Sequence, residues 1–428
     1  MTQIKRRNFL KASITGFAGA AMFSAFGKNV SSLPFDNLSA ILSSEKSDES
    51  YWEQVKEQFP FAEGLKYFNN GSLGPSPLIV REASCNFRTT LDEFPSKYMW
   101  GGWKEEVEKV RSQSAELLSV SPEEIALIHN TTEGFNMLAK SFDLKPGDEI
   151  ILADHEHTSV TIPWQVWQES KGIKLVQIVL PILPDSVEEI VEMYRKAITP
   201  KTKIISICHL LNTNGMILPI KEVSEMAHQK GIYVAVDGAQ AAGMIQVNLQ
   251  DLGCDYYTAS THKWLFSPKE IGIFYAKKVS QHLLKPLIVA NGHKDITIRR
   301  LENYNTRNLP DVLGLGTAIE FHNSIGREKI ERRSYELKAY LREKIGDNPK
   351  FKFKSPVKDE LSSAIQNLEI VGKDVNFVKK QLFDNYGIDT RPMTGFGLNG
   401  LRISLAIYIT KSDIDYLIKG LEHISTLN

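Results

Sequence analysis

From about residue 120 the chain alternates between two patterns of apolar spacing. Short continuous runs such as "DEIILAD", "IKLVQIVLPI", "KIISICHLL", "IYVAVD" and "CDYYTAS" are apolar and rich in β-branched residues, as expected of strands buried on both faces. Between them, apolar positions recur at helical spacing. "TTEGFNMLAKSF" places Phe135, Leu138 and Phe142 on one face, with Thr131 positioned as the cap. "SVEEIVEMYRKAI" opens on a Ser186…Glu189 capping box, and "IKEVSEMAHQKG" closes at Gly231. This alternation predicts an α/β fold built on a largely parallel sheet covered by helices on both faces. In such sheets ligands gather outside the carboxyl ends of the strands. Near residue 310 the rhythm changes to one or two long helices, then shorter strands, then a closing helix, "SDIDYLIKGLEHIS". We expect a large domain over 51–310 and a smaller α+β domain over 311–428, completed by residues from the N-terminal side. No internal repeat is visible.

Length and charge narrow the function. The 428 residues suffice for two domains, and 51 basic residues balance 51 acidic ones. No long single-sign run offers a face for collecting phosphates, which argues against a nucleic-acid partner. Cys85, Cys208 and Cys254 are scattered, with no CxxC and no histidine at metal spacing. They suggest neither a disulfide framework nor a zinc site. Cys208 and Cys254 read as core residues.

Three strand ends carry polar residues that a strand does not require. "YVAVDGAQ" ends in Asp237, with Gln240 just beyond; a buried carboxylate there needs a positive partner or a helix to cap. "ADHEHTSVTIPWQ" brackets Glu156 with His155 and His157, and with no third ligand in range no metal is implied. "DYYTASTHKW" runs from a strand into Lys263, between His262 and Trp264. A lysine at a strand end is ordinarily a solvated charge. Flanked by apolar and aromatic groups, it loses solvation and its amine becomes a usable nucleophile. Asp237, Lys263 and His157 together meet the needs of a pyridine-ring cofactor: a carboxylate for the ring nitrogen, an imine-forming lysine and a flat stacking group. "NTTEGFN" adds a phosphate cradle at a helix start, with the hydroxyls of Thr131 and Thr132.

These motifs, in this order and spacing, resemble the class V aminotransferase family of pyridoxal-phosphate enzymes, which includes cysteine desulfurases and isopenicillin N epimerase. The resemblance runs from about Tyr67 to residue 425 and is dense in "YFNNGSLGPSP", "NTTEGFN", "HEHTSVTIPWQ", "LLNTNGMILPI", "VDGAQAAG", "STHKW" and "LRISLAIY". It implies a fold-type I transferase with a mostly parallel seven-stranded sheet and a smaller C-terminal domain. By the same resemblance, Lys263 forms the imine with pyridoxal 5′-phosphate and moves protons at the substrate α-carbon. Asp237 pairs with the ring nitrogen, Gln240 and Asn212 bond the phenolic oxygen, and His157 stacks on the ring. Thr131, Thr132, Ser260 and His262 hold the phosphate. Thr306 of "YNTRN" reaches a neighbouring subunit's phosphate, which implies a homodimer with shared sites. Arg402 of "GLRISLA" clamps the substrate carboxylate, a task suited to a guanidinium, and Arg391 of "DTRPM" is a second clamp or a solvated loop residue.

Departures from the family bear on the reaction. Cysteine desulfurases carry a nucleophilic cysteine ahead of the carboxylate-binding arginine, and "RPMTGFGLNG" has none. Lys269 and Glu270 alter the turn after the lysine. "NNGSLG" resembles the opening of the epimerase branch, with Asn70 in place of the usual histidine. The expected reaction is therefore epimerisation at the α-carbon of an amino acid or its derivative, with transamination and C–S elimination as alternatives on the same scaffold. The reading from another class is an exported binding protein without chemistry, against which Lys263, Asp237, His157 and Arg402 all argue.

The N-terminus adds a destination. "KRRNFLK" followed by the uncharged stretch 12–27 resembles a twin-arginine export signal, although Lys5 stands where a small polar residue is usual. It implies engagement of the twin-arginine machinery and a periplasmic location, either free or anchored by an uncleaved signal. Residues 28–50 are Ser-rich and read as a linker.

Overall fold

The computed structural model describes residues 42, 44–45 and 47–427. The expected export signal over 1–27 and much of the linker lie outside the described residues. Helix Glu49–Glu57 begins inside the stretch read as linker, and Asp48 caps it by accepting from the Tyr51 N–H. Two aromatic side chains of this helix, Tyr51 and Trp52, are buried.

The seven-stranded sheet is built from β2 (Ile125–Ile128), β3 (Glu149–Ala153), β4 (Lys174–Ile178), β5 (Thr202–Cys208), β6 (Tyr233–Asp237), β7 (Tyr256–Ser260) and β8 (Gly272–Ala276), after a two-residue strand β1 (Lys66–Tyr67). The order is β2-β8-β7-β6-β5-β3-β4. Pairings from β4 across to β7 are parallel, and β8 runs antiparallel to both β7 and β2. Every residue of β2, β3, β7 and β8 is buried, which is why these runs read as largely apolar. The edge strand β4 is the least buried, exposing Lys174 and Gln177, and charged or polar edge residues discourage pairing with another chain.

A second sheet combines β9 (Phe351–Phe353), β10 (Ile365–Ile370), β12 (Arg391–Gly395) and β13 (Leu398–Ser404) in the order β12-β13-β10-β9, all antiparallel. The short β11 (Ile388–Asp389) pairs in parallel with β1, which joins the start of the described chain to its C-terminal part. The long helical stretch after residue 309 is two helices, Leu309–Ile325 and Arg327–Ile345. They break at Gly326, whose φ of 95° suits a residue without a side chain.

Two local expectations are corrected. The cap of helix Thr131–Ser141 is Asn130 rather than Thr131: Asn130 is extended and its side chain accepts from the Glu133 N–H. Thr131 is the first helical residue, and its hydroxyl is engaged by Ser260 instead. Ser186 does cap its helix, but Glu189 turns its carboxylate to the Asp185 N–H, so the reciprocal half of the box is not formed.

Candidate active site

The carboxyl ends of neighbouring strands converge on one pocket. β5 ends at Cys208, directly opposite Asp237 in register, and Asp237 in turn lies opposite Thr258 of β7. Thr131, His157, Asn212, Asp237, Gln240, Ser260 and Lys263 line this pocket together, although they are scattered from residue 131 to residue 263. Parallel strands end at the same side of the sheet, so their polar terminal residues meet there.

Lys263 lies in the turn after β7, with its backbone N–H donating to the Ser260 carbonyl at 3.3 Å. Its Nζ makes no hydrogen bond or ion pair with the described residues. Burial holds this amine below the ordinary lysine range, while the charge of Asp237 acts in the opposite direction. Asp237 is 4% exposed, and one of its oxygens accepts from the Ala239 N–H at 2.9 Å. Burial pushes its carboxyl above the usual range, and the Lys263 ammonium pulls it back down. The two groups therefore stabilise each other's charged forms inside a poorly solvated site.

His157 caps helix Thr158–Lys171, its Nδ1 accepting from the Ser159 N–H at 3.1 Å. That bond occupies the Nδ1 lone pair, so the neutral ring carries its proton on Nε2. Although the residue is exposed, desolvation on the side facing the site, followed by the nearby Lys263 charge, holds its pKa below the usual imidazole value. Thr132 Oγ1 donates to Ser159 Oγ at 2.8 Å, and Ser159 Oγ bonds His157 Nδ1 at 2.9 Å. A hydroxyl relay thus connects the helix start to the imidazole.

At the start of helix Thr131–Ser141, the Thr131 N–H donates to Ser260 Oγ, which donates in turn to Thr131 Oγ1, each at 3.0 Å. Hydroxyls at a helix N-terminus favour an anion. His262 is outside the lining set, and its buried Nδ1 has no hydrogen-bond partner among the described residues. Burial holds its ring down to about 4.

Gln240 is more committed than expected: its Nε2 donates to the Gly71 carbonyl and its Oε1 accepts from Trp264 Nε1, both at 2.8 Å. It braces the turn that carries Lys263. Arg402 is 1% exposed and donates to the carbonyl of Asn212 at 3.2 Å, to Asn69 Oδ1 at 2.9 Å and to Ser72 Oγ. No carboxylate pairs with it among the described residues, and burial holds it down to about 10. Arg391 lies directly opposite Arg402 in the β12–β13 register, exposed and without a hydrogen bond or ion pair to the described residues. Thr306 is exposed and does not line the pocket.

Sequence reasoning missed several contributors. Cys208 is buried as expected, yet it also lines the pocket, its thiol donating to the Leu210 carbonyl at 3.0 Å. Ser159 lines it too, two residues beyond the histidine that was recognised. Asn69 and Ser72 hold Arg402 from more than 300 positions away, and only the "NNGSLG" motif hinted at them.

The donor set fits pyridoxal phosphate. It offers an amine without a partner, a carboxylate beside it, a neutral imidazole, helix-start hydroxyls, a buried imidazole nitrogen without a partner and a carboxylate-free guanidinium. Comparison with known proteins agrees. Residues 99–417 match the model of the family described as Aminotransferase class-V. The chain is 28% identical over 393 residues to isopenicillin N epimerase of Amycolatopsis lactamdurans, covering 87% of this chain and 98% of the relative. It is 31% identical over 347 residues to a cysteine desulfurase of Salmonella dublin, covering 76% and 83%. The solved structure of cysteine desulfurase CsdA from Escherichia coli superposes with a TM-score of 0.74 at 25% identity, covering 87% of this chain and 98% of that one. The chain belongs to the aminotransferase class-V family and is a pyridoxal-phosphate-dependent enzyme.

Proposed function

We propose that the enzyme acts at the α-carbon of an amino acid or amino-acid derivative as an epimerase-like member of its family. One observation carries the choice of reaction. The hairpin ahead of Arg402, where the resemblance places a desulfurase's nucleophilic thiol, is closed by Phe396 and Gly397, with strand partners Gly395 and Leu398 on either side. The described cysteines are elsewhere: Cys85 is exposed on a helix, and Cys208 and Cys254 are buried. A persulfide acceptor is therefore lacking on the hairpin.

Thr131, Thr132, Ser260 and His262 would hold the phosphate, Asp237 the ring nitrogen, and His157 the ring face. Bound there, pyridoxal phosphate supplies a sink for the electron pair left when the α-C–H bond breaks. Arg402 binds the substrate carboxylate through its fork and fixes the α-carbon near Lys263. The Lys263 amine, kept neutral more readily by burial, takes the α-proton as general base. Lys263 gives up the abstracted proton to solvent, and a solvent proton added to the opposite face of the same carbon inverts the centre with no net oxidation or reduction.

The test is product analysis with a panel of L- and D-amino acids. Loss of optical rotation without a keto acid supports epimerisation. Stoichiometric keto acid would instead indicate transamination, and release of pyruvate with a thiol would indicate elimination.

We further propose export by the twin-arginine route, on the strength of Arg6-Arg7 and the uncharged stretch 12–27. Retention in the cytoplasm of an Arg6→Lys/Arg7→Lys variant tests it. A homodimer in which Thr306 reaches the neighbouring site accounts for its exposure, and sedimentation of the purified protein as a monomer would count against that arrangement.

A further inference from the structure

Glu156 lies between the two histidines of "HEHT" and takes no part in the chemistry above. It is 7% exposed, and no cation pairs with it among the described residues. Its Oε1 accepts from the Cys208 N–H at 2.9 Å, while its Oε2 is buried without a hydrogen-bond partner. Cys208 ends β5 opposite Asp237. The side chain therefore ties the turn that carries His157 to the strand end beside the carboxylate at the pocket floor. At the other end of this turn, His155 Nδ1 bonds Thr213 Oγ1 at 2.7 Å, next to Asn212. Two buried side chains from one turn thus fasten it to the β5 end and the loop that follows.

The charges around Glu156 decide the form in which it can do this. The titratable groups that act on it or respond to it are Asp237, Asp154, Tyr194 and Cys208, none of them a cation. An ionised carboxylate enclosed by such groups carries a desolvation penalty of several kcal/mol. Burial, then the neighbouring Asp237, pushes the Glu156 carboxyl well above the usual carboxylate range.

We propose that Glu156 is a positioning residue, a strut that ties the turn carrying His157 to the end of β5 beside Asp237. The inference rests on the reading of His157 as the group stacked on the cofactor.

The experiment compares the parent with Glu156→Gln, Glu156→Leu and His157→Ala, each loaded with pyridoxal phosphate. The readouts are the pH titration of the cofactor's visible absorption band, and kcat/KM for exchange of the amino-acid α-proton with deuterated solvent. Glutamine keeps both the acceptor for Cys208 and the neutral charge, so the midpoint should stay within about 0.3 pH unit and kcat/KM within about threefold. Leucine loses the tie to Cys208; its band should shift and its kcat/KM fall by about tenfold or more, towards the His157→Ala value. A midpoint moved by about one unit or more in Glu156→Gln would show that the residue acts as a charge and overturn the inference. So would a Glu156→Leu enzyme indistinguishable from the parent. If the leucine variant does not fold, the glutamine titration decides alone. A His157→Ala enzyme unchanged in both readouts would remove the premise about His157 itself, an outcome separable from any result at Glu156.

Discussion

One added methyl at Gly74 tests how tightly the Lys263 turn is held. The Gly74 N–H donates to the His262 carbonyl at 3.0 Å, so its backbone lies directly against the turn that carries Lys263. A Cβ on Gly74 would stand 1.9 Å from the Lys263 carbonyl oxygen, 2.8 Å from the Lys263 carbonyl carbon and 3.1 Å from the His262 carbonyl oxygen. Ordinary C···O contacts are about 3.3–3.6 Å, so one of the two backbones must retreat by more than about 1 Å. Neither can swing aside like a side chain. The Gly74 segment is pinned by Ser76 Oγ donating to the Ser267 carbonyl at 3.0 Å, and the Lys263 side by Trp264 bonding Gln240. Overpacking of this kind costs about 1–3 kcal/mol of stability. A shift of about 1 Å in a reacting group costs about a hundredfold in rate. Gly74→Ala should therefore fold, melt somewhat earlier, and lose about a hundredfold in kcat/KM for α-proton exchange. Thermal melts and proton-exchange kinetics on the same preparation separate the two effects. A variant within threefold of the parent's kcat/KM would refute the reasoning, as would an activity loss matching only the fraction unfolded.

Other predictions follow from the charges and hydrogen bonds of the site. Burial holds His209 and His322 down to about 4 and about 3, so the unfolded chain binds more protons below the ordinary value of about 6.5. Stability should therefore fall as pH drops below about 6.5, by up to ~2.7 kcal/mol per unit for the pair, and a urea midpoint unchanged from pH 7 to pH 5 would contradict this. Arg402→Lys keeps the charge but loses the fork that bonds Asn69, Ser72 and Asn212; KM for amino acids should rise about 10- to 100-fold, and an unchanged KM would reject the clamp. Asp237→Asn retains an acceptor for the Ala239 N–H but removes the negative charge, so kcat should fall by about a hundredfold or more while cofactor content persists. Full activity in that variant would show that the charge is not needed.

The strand ends were legible because a charged side chain is costly within a buried strand, whereas at its carboxyl end it can face a site. Asp237, Ser260 and Lys263 stood out against apolar runs for that reason, and the pocket brings all three together. Cys208 did not stand out, because a cysteine after four apolar or small residues gives no sign that the strand stops there and turns its thiol to a pocket. The Thr131 cap was misassigned since Asn130 and Thr131 are both good caps in sequence, and only the extended backbone of Asn130 separates them. The support of Arg402 by Asn69 and Ser72, and the pairing of β1 with β11, join residues more than 300 positions apart, which no local periodicity encodes. Gln240 was recognised as a site residue, but its bonds to Gly71 and Trp264 depend on how two loops pack.

That Lys263 holds pyridoxal phosphate is tested most directly by the visible absorption spectrum of the purified protein, recorded beside Lys263→Ala. The parent should show a near-violet band that borohydride abolishes by fixing the cofactor to the chain, and the variant should lack that band and retain no label after reduction. A parent that stays colourless with added pyridoxal phosphate, or an alanine variant with the same reducible band, would contradict the assignment of Lys263.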